Sequence, residues 1–175
     1  MKMNKIAVMV AGLALSTAAL ADNIIKFQGE VAEQTCDISI NGSTSSPLIL
    51  LPTVPASSLV TPGTTAGQTP FTIGLTGCAA PASTTAIKTV FVGNNLTQEG
   101  RMGNTGSASN VSLQLVDPAA SAIPLDLTGQ NGAAGLSLAM GATSTSHDFA
   151  VQYYSEGNTT AGSVLGSVQY SVSYQ

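Results

Sequence analysis

The sequence predicts an all-β sandwich from its periodicity, its turn residues and its final strand. Short stretches of alternating apolar and polar residues are separated at close intervals by Gly, Pro, Ser, Asn and Thr, which is the pattern of such a fold. No window keeps a helical period over the ten or so residues that indicate a helix. The chain ends with apolar residues on every second position from Val168 to Tyr174. Because successive side chains of a strand point to opposite faces, this run predicts a half-buried final strand.

The first 21 residues have the features of a signal peptide. Lys2 and Lys5 precede an apolar run, and Ala19-Leu20-Ala21 has the small-x-small form of a cleavage site. The uncharged run that ends at Ala21 is shorter than the ~20 residues of a membrane-spanning helix. The sequence therefore predicts that residues 1–21 are removed on export and that the remainder forms about one domain.

The charge of the exported part excludes one class of partner. Without residues 1–21, Lys26, Lys88 and Arg101 remain against nine acidic residues, a net charge of −6. A surface that binds nucleic acid needs clustered Lys and Arg to neutralise phosphates, so no nucleic-acid partner is expected. The 43% of hydrophobic residues also distinguishes the chain from a disordered one, which lacks the apolar surface to fold.

Nine strands are predicted between the turn signals of the exported part. The stretch rich in Gly, Ser, Thr and Pro at 52–70 lies between the two cysteines and is interpreted as a surface connection within one domain. No internal repeat is present. The predicted strands lie near 25–40, 47–51, 69–77, 86–92, 111–116, 123–127, 136–140, 147–154 and 163–174.

The two cysteines, Cys36 and Cys78, are both in the exported part. An even number of cysteines in an oxidising compartment favours a disulfide. Closing a loop of this length would remove roughly 4 kcal/mol of unfolded-state entropy on the chain-entropy model. A metal site is the alternative, but the two thiols are far apart in sequence and the chain has one histidine, so the disulfide is the stronger prediction.

The sequence predicts no catalytic residue, cofactor or metal. The histidine, His147, stands beside Asp148, but neighbours on a strand point to opposite faces and do not form the pair that activates a nucleophile. A solvent-exposed histidine at a strand end is the preferred interpretation. No phosphate loop, nucleophile elbow or metal-ligand spacing is present. A pair of carboxylates that meets only in space, as in glycoside hydrolysis, stays open at this stage.

A sugar-binding site has little support. Trp is absent, and two of the four tyrosines, Tyr170 and Tyr174, are predicted to face inward. Tyr153 and Tyr154 remain as candidates for stacking on a sugar ring. Four N-x-S/T tripeptides are either glycan acceptors of a eukaryotic secreted protein or chance occurrences; they begin at Asn41, Asn95, Asn110 and Asn158.

Several segments in a fixed order make the chain resemble the pilus subunits of the bacterial chaperone-usher pathway, the type 1 and P-pilus family of fimbrial proteins. The resemblance runs essentially end to end over the exported part, and each segment alone is weak. The segments are 27–31 followed by Cys36, 71–77 followed by Cys78, 103–111 leading into 113–117, Phe149 with Tyr153, and 162–175 with its opening Gly162.

The resemblance implies an incomplete immunoglobulin-like β-sandwich that is completed by donor-strand exchange. A groove would lie beside the final strand, lined by Gly162, Val168, Tyr170, Val172 and Tyr174. A periplasmic chaperone would fill this groove first, and the N-terminal extension of a neighbouring subunit would replace it at the outer-membrane usher. Chaperone–pilin strand donation is an established example of β-augmentation. The resemblance therefore implies a head-to-tail polymer at the cell surface, which is not an enzyme and supports adhesion or biofilm.

The donor in this chain would be the extension 22–27, followed by a pilin domain at 28–175. Its alternation places Asn23, Ile25 and Phe27 on one face, with Lys26 and Gln28 on the other. The extension is shorter than is usual in the family, and Asn23 stands where the family commonly has a glycine. On composition alone, an ordinary first strand explains this segment equally well.

Two other classes of function stay open beside a structural subunit of major type. One is a minor adaptor or a receptor-binding fimbrial subunit, although a tip adhesin of this family usually carries a further receptor domain. The other is a free, secreted carbohydrate-binding β-sandwich. Such a protein would be complete in itself, so a stable monomer made without a chaperone would favour it.

Overall fold

The computed structural model describes residues 36–175, and the predictions for the signal peptide 1–21 and the extension 22–27 lie outside the described residues. The nine strands in this part of the chain are β1 (Asp37–Ile40), β2 (Thr65–Thr76), β3 (Thr85–Gly93), β4 (Met102–Gly103), β5 (Val111–Asp117), β6 (Ile123–Pro124), β7 (Ala133–Leu138), β8 (Thr145–Ser155) and β9 (Val168–Tyr174). Two short 3₁₀ turns, Ala56–Leu59 and Pro118–Ala120, are the helical elements among the described residues. None of these could span a membrane.

The strands form two antiparallel sheets. The first has the order β1-β2-β8-β5-β4, with β6 paired to β5, and the second has the order β7-β3-β9. β2 and β8 form the longest ladder, in which Phe71 pairs with Phe149. This two-layer, all-β architecture confirms the predicted fold class.

The core lies between the sheets and is built from alternate residues of the long strands. Ile73 and Leu75 of β2 and Phe149 of β8 are fully buried, and Phe91 of β3 meets Phe149 edge to face with ring centroids 5.3 Å apart. The alternating sequence pattern therefore produces its core because one face of each strand is turned inward. The other core side chains of the second sheet are Ile87, Leu136 and Leu138.

The predicted disulfide between Cys36 and Cys78 is confirmed. It joins the residue before β1 to the second residue after β2, beside the strand pair that begins with Asp37 opposite Thr76. The bond thus links the edge strand β1 covalently to the longer β2. Because β1 has only four residues, its ladder supplies few hydrogen bonds.

Of the strand predicted near 25–40, residues 25–35 lie outside the described residues and the described part contains β1. The strand predicted at 136–140 is β7, shifted toward the N-terminus. Three other predicted strands differ more from the structure. Residues 47–51 are not a strand, because residues 46–54 make no backbone ladder with any other described residue. The strand at 123–127 shortens to β6, because the Asp126 carboxylate accepts hydrogen bonds from the backbone N–H groups of Thr128 and Asn131 and turns the chain. The strand predicted to begin at 163 begins at Val168. The two-residue β4 was not predicted, because two residues carry no readable alternation.

The four N-x-S/T asparagines share one backbone feature. All have positive φ angles, between 50° and 57°. Asparagine tolerates this left-handed region better than other residues with a side chain. Their recurrence therefore has a structural explanation as turn residues; they are Asn41, Asn95, Asn110 and Asn158.

Candidate functional site

The candidate site is the outer edge of β9, the edge that faces away from β3. β9 pairs with β3 from Val168 opposite Gly93 to Tyr174 opposite Ile87. Over Val168–Val172, no other described strand pairs with β9. Within residues 36–175, the second sheet therefore ends at this edge.

The ladder shows which backbone groups face outward. Ser167 accepts a hydrogen bond from the Asn94 N–H at 3.0 Å, and Gln175 donates to the Ala86 carbonyl at 2.9 Å. In an antiparallel ladder, hydrogen-bonded pairs alternate with pairs that do not bond each other. Between these two fixed points, Gln169 and Ser171 therefore bond to β3. The N–H and C=O groups of Val168, Tyr170 and Val172 point toward the outer edge.

The same three residues direct apolar side chains into the sandwich. Val168, Tyr170 and Val172 pack against the main core and are half-buried, as is Tyr174, whereas Gln169 and Ser171 are exposed. On the neighbouring β3, Ile87 and Phe91 are each 1% exposed. Coverage of the core thus falls from nearly complete at β3 to partial at β9.

A second segment shares these properties. Ile49 and Leu51 pack against the main core, while Leu48 and Leu50 are 81% and 76% exposed. This alternation is the one that led to the prediction of a strand at 47–51, but the segment has no ladder partner among the described residues. Val54, just beyond it, packs against the same small apolar cluster of Leu59, Ala108 and Val111 as Val164, just before β9. The structure therefore holds two apolar segments over one core, both with backbone edges that no described strand covers.

Gly162, a predicted groove residue, lies six residues before β9 and outside the ladder. A Cβ atom placed on it would be 2.4 Å from the backbone nitrogen of Ala108, closer than any side chain tolerates. The glycine is therefore required by a close backbone approach to the 104–108 loop. The predicted donor residues Asn23, Ile25 and Phe27 lie outside the described residues.

The predicted environment of the histidine is wrong. His147 is not a solvent-exposed strand end: its side chain is 16% exposed, and Nε2 lies 3.2 Å from Oδ2 of Asp117. Its neighbour Asp148 instead accepts a 2.6 Å hydrogen bond from Thr72 on the adjacent strand. His147 and Asp148 face opposite sides of the sheet, as alternation predicts. The partner of His147 is Asp117 at the end of β5, which no local sequence pattern identifies.

A polar cluster on the outer face of the first sheet was also missed by sequence reasoning. Arg101 donates to both carboxylate oxygens of Glu156, at 3.0 and 2.8 Å, and lies 4.0 Å from the ring centroid of Tyr154. Ser112 donates to Glu156 at 2.6 Å. Burial acts to raise the pKa of Glu156, but the hydrogen bonds from Arg101 and Ser112 outweigh it and hold the pKa below its usual value. With Tyr154 covered by Arg101, one of the two candidate sugar-stacking rings is occupied.

No set of three or more His, Cys, Asp or Glu side chains within residues 36–175 is placed to hold a metal ion. The acidic residues here instead carry structural bonds. Asp126, for example, accepts hydrogen bonds first from the Thr128 side chain and also from Asn131, and these lower its pKa. The edge of β9 is therefore the candidate site, because the outward backbone groups of Val168, Tyr170 and Val172 have no strand partner among the described residues.

Comparison with known proteins identifies the family. A family model described as "Fimbrial protein" matches residues 25–175. The chain is 38% identical to the "F17 fimbrial protein" of Escherichia coli, over 95% of each chain. It is 33% identical to the "Major fimbrial subunit SMF-1" of Stenotrophomonas maltophilia, over 95% of this chain and 99% of the relative.

Solved structures agree on the fold. The P pilus rod subunit PapA superposes with a TM-score of 0.58 at 12% identity, covering 79% of this chain and 99% of that one. A subunit of a chaperone-usher pilus superposes with a TM-score of 0.59 at 14% identity, covering 91% and 99%. These likenesses confirm the immunoglobulin-like sandwich, and the family model and the two relatives confirm the resemblance drawn from the sequence. The chain belongs to the fimbrial protein family.

Proposed function

We propose that this chain is a structural subunit of a surface fimbrium and polymerises head to tail by strand donation. The N-terminal segment of one copy, with Asn23, Ile25 and Phe27 on one face, adds to the outer edge of β9 in the next copy. One observation carries the proposal: at Val168 and Val172, as at Tyr170 between them, outward backbone groups coincide with half-buried apolar side chains.

An added strand satisfies both features at once. Each backbone hydrogen bond contributes about 1 kcal/mol net, and apolar contact contributes roughly 25 cal/mol per Å² removed from water. Ile25 and Phe27 supply the apolar side chains, while Lys26 stays on the solvent side. Because the donor segment and the receiving edge are different parts of the chain, the contact is heterologous, and its repetition without closure produces a filament.

The same edge accounts for the proposed partners. An uncovered strand edge with an apolar face promotes self-association, so the subunit needs protection between export and assembly. We assign this protection to a periplasmic chaperone that occupies the edge, and the exchange to an outer-membrane usher. The route then leads through the periplasm to an extracellular fimbrium, where the polymer supports adhesion.

A shaft role is favoured over a minor adaptor. The relative with 33% identity, which is matched over almost its full length, is named a major fimbrial subunit. PapA, similar in fold, is a rod subunit. If this chain were a minor subunit, its deletion would leave fibres of another subunit on the cell, whereas deletion of a shaft subunit removes them.

The donor face is tested with paired variants of the full chain. Ile25→Ser with Phe27→Ser changes the face assigned to the groove, and Lys26→Ser with Gln28→Ser changes the opposite face of the same segment. We expect the first pair to abolish fibres in negative-stain images while the chaperone-bound subunit still accumulates, and the second pair to assemble normally. Fibres of normal length from the first pair would contradict the donor assignment. A soluble, stable monomer made without the chaperone would contradict the proposed function itself.

A further inference from the structure

The Asn104 side chain makes four hydrogen bonds, two of them to the segment that leads into β9, to which Ser107 and Thr105 also bond. Its Oδ1 accepts hydrogen bonds from the backbone N–H of Gly106 at 2.7 Å and of Leu165 at 2.8 Å. Its Nδ2 donates to the carbonyls of Ala108 at 2.8 Å and of Ser163 at 3.3 Å. An asparagine amide has two donor hydrogens and two acceptor lone pairs, so this amide is fully used.

The bonds of Asn104 join two segments of different sheets. Residues 104–108 follow β4 of the first sheet, and residues 163–167 precede β9 of the second. Backbone hydrogen bonds connect them directly, from Thr105 N–H to Leu165 at 2.9 Å and from Ala108 N–H to Ser163 at 3.0 Å. We call this set of contacts between 104–108 and 163–165 the clasp.

The clasp has little room to shift. A Cβ atom on Gly106 would lie 2.2 Å from the carbonyl oxygen of Ser163, and one on Gly166 would lie 2.8 Å from Sδ of Met102. Two residues beyond Leu165, the Ser167 hydroxyl accepts a 2.8 Å hydrogen bond from Nδ2 of Asn94, at the start of the β3–β9 ladder. The chain therefore crosses from one sheet to the other over a few residues that are fixed at both ends.

We infer that Asn104 is a positioning residue for strand donation. By holding Leu165, it fixes the point at which β9 starts, and with it the place where the outward backbone groups of Val168 and Tyr170 meet an incoming strand. The inference rests on the proposed function, because it names the residue that prepares the receiving edge. Asn104 does not touch the donor; it acts through Leu165.

The test uses the subunit purified in complex with its periplasmic chaperone, and a fluorescent synthetic peptide of residues 22–35 from the same sequence that replaces the chaperone at the edge of β9. Asn104→Ala removes all four side-chain bonds. Asn104→Asp keeps acceptors for Gly106 and Leu165 but loses both donors, and serves if the alanine variant fails to fold. Asn131→Ala is the matched control, since its amide donates to Asp126 at 2.8 Å in a loop away from the clasp.

We expect Asn104→Ala to release the peptide about tenfold faster than wild type, the factor equivalent to about 1.4 kcal/mol, with Asn104→Asp in between. Hydrogen exchange at Gln169 and Ser171, which bond to β3, should rise in the same order while exchange in β8 is unchanged. A merely structural role would raise exchange in both strands. The inference is overturned if wild type binds and both variants match Asn131→Ala in release and in exchange at β9. If wild type does not bind the peptide, strand donation itself fails.

Discussion

Proline substitutions in β9 separate the outward backbone groups from the inward ones. Proline lacks an N–H, and in sheets it is tolerated where that group does not bond to a neighbouring strand. Val172 lies opposite Thr89 in a pair that does not bond across the ladder, whereas Ser171 lies opposite Val90 in a bonded pair. Val172→Pro therefore removes a donor from the outer edge, and Ser171→Pro removes one from the ladder to β3.

The two variants differ in where the free energy is lost. Ser171→Pro loses one hydrogen bond, at about 1 kcal/mol, and leaves the Val90 carbonyl unpaired, at about 1–3 kcal/mol, so the free energy of unfolding should fall by about 2–4 kcal/mol. Val172→Pro keeps the β3 ladder and an apolar ring at a half-buried position, so this free energy should change by less than about 1 kcal/mol. The proposed added strand would instead be destabilised, because it would lose one backbone hydrogen-bond partner and would contact the proline ring.

The assay combines urea unfolding of the subunit, released from its chaperone and kept dilute so that it does not self-associate, with counts of fibres on cells that express each variant. We expect Val172→Pro to give a folded subunit and few fibres, and Ser171→Pro to give an unstable subunit. If Val172→Pro unfolds the subunit as strongly as Ser171→Pro, the assignment of outward and inward groups is wrong. If it folds and assembles normally, the outer edge does not receive a strand.

Three further outcomes follow from the described contacts. Replacing both Cys36 and Cys78 with Ser should lower the free energy of unfolding by about 4 kcal/mol on the chain-entropy model, measured by urea denaturation. The pKa of Glu156 in the folded protein lies below its ordinary value of 4.5. The ionised carboxylate therefore stabilises the fold above pH 4.5, and this stabilisation is lost as the pH falls through the folded-state pKa. In Glu156→Gln, the free energy of unfolding measured against pH should no longer show this decrease. Thr89 is fully buried, and its Oγ1 has no hydrogen-bond partner among the described residues, so Thr89→Val should raise the melting temperature, by the equivalent of about 1 kcal/mol.

The sequence predicted the long strands because each contains several repeats of the apolar–polar alternation. β2, β3, β5 and β8 all appear within a few residues of their expected bounds. The disulfide was predictable because two cysteines offer a single pairing. At β9, period two identified which side chains enter the core, and that is a local property of the chain.

What the sequence did not predict depends on contacts between distant segments. Residues 163–167 continue the apolar alternation of β9 at Val164, yet Asn104, about 60 positions earlier, draws them to the other sheet. His147 likewise contacts Asp117 at the end of β5, and Arg101 forms an ion pair with Glu156, which follows β8. A polar side chain in a loop has many possible partners, and only the assembled fold selects among them.

The strand predicted at 47–51 is absent for a different reason, which is relevant to function. The alternation there is genuine, since Ile49 and Leu51 pack against the core, but no described strand supplies a ladder. A sequence with strand character and no partner within residues 36–175, over the same core as the half-covered β9, is what a sandwich with a missing strand requires. The long segments with apolar–polar alternation pair with other described strands. Residues 47–51, over the same core as β9, have the alternation but no such partner. An added strand that reaches this segment would supply this partner, so hydrogen exchange at Ile49 and Leu51 should slow when the peptide of residues 22–35 binds, and unchanged exchange would limit the donor to the edge of β9.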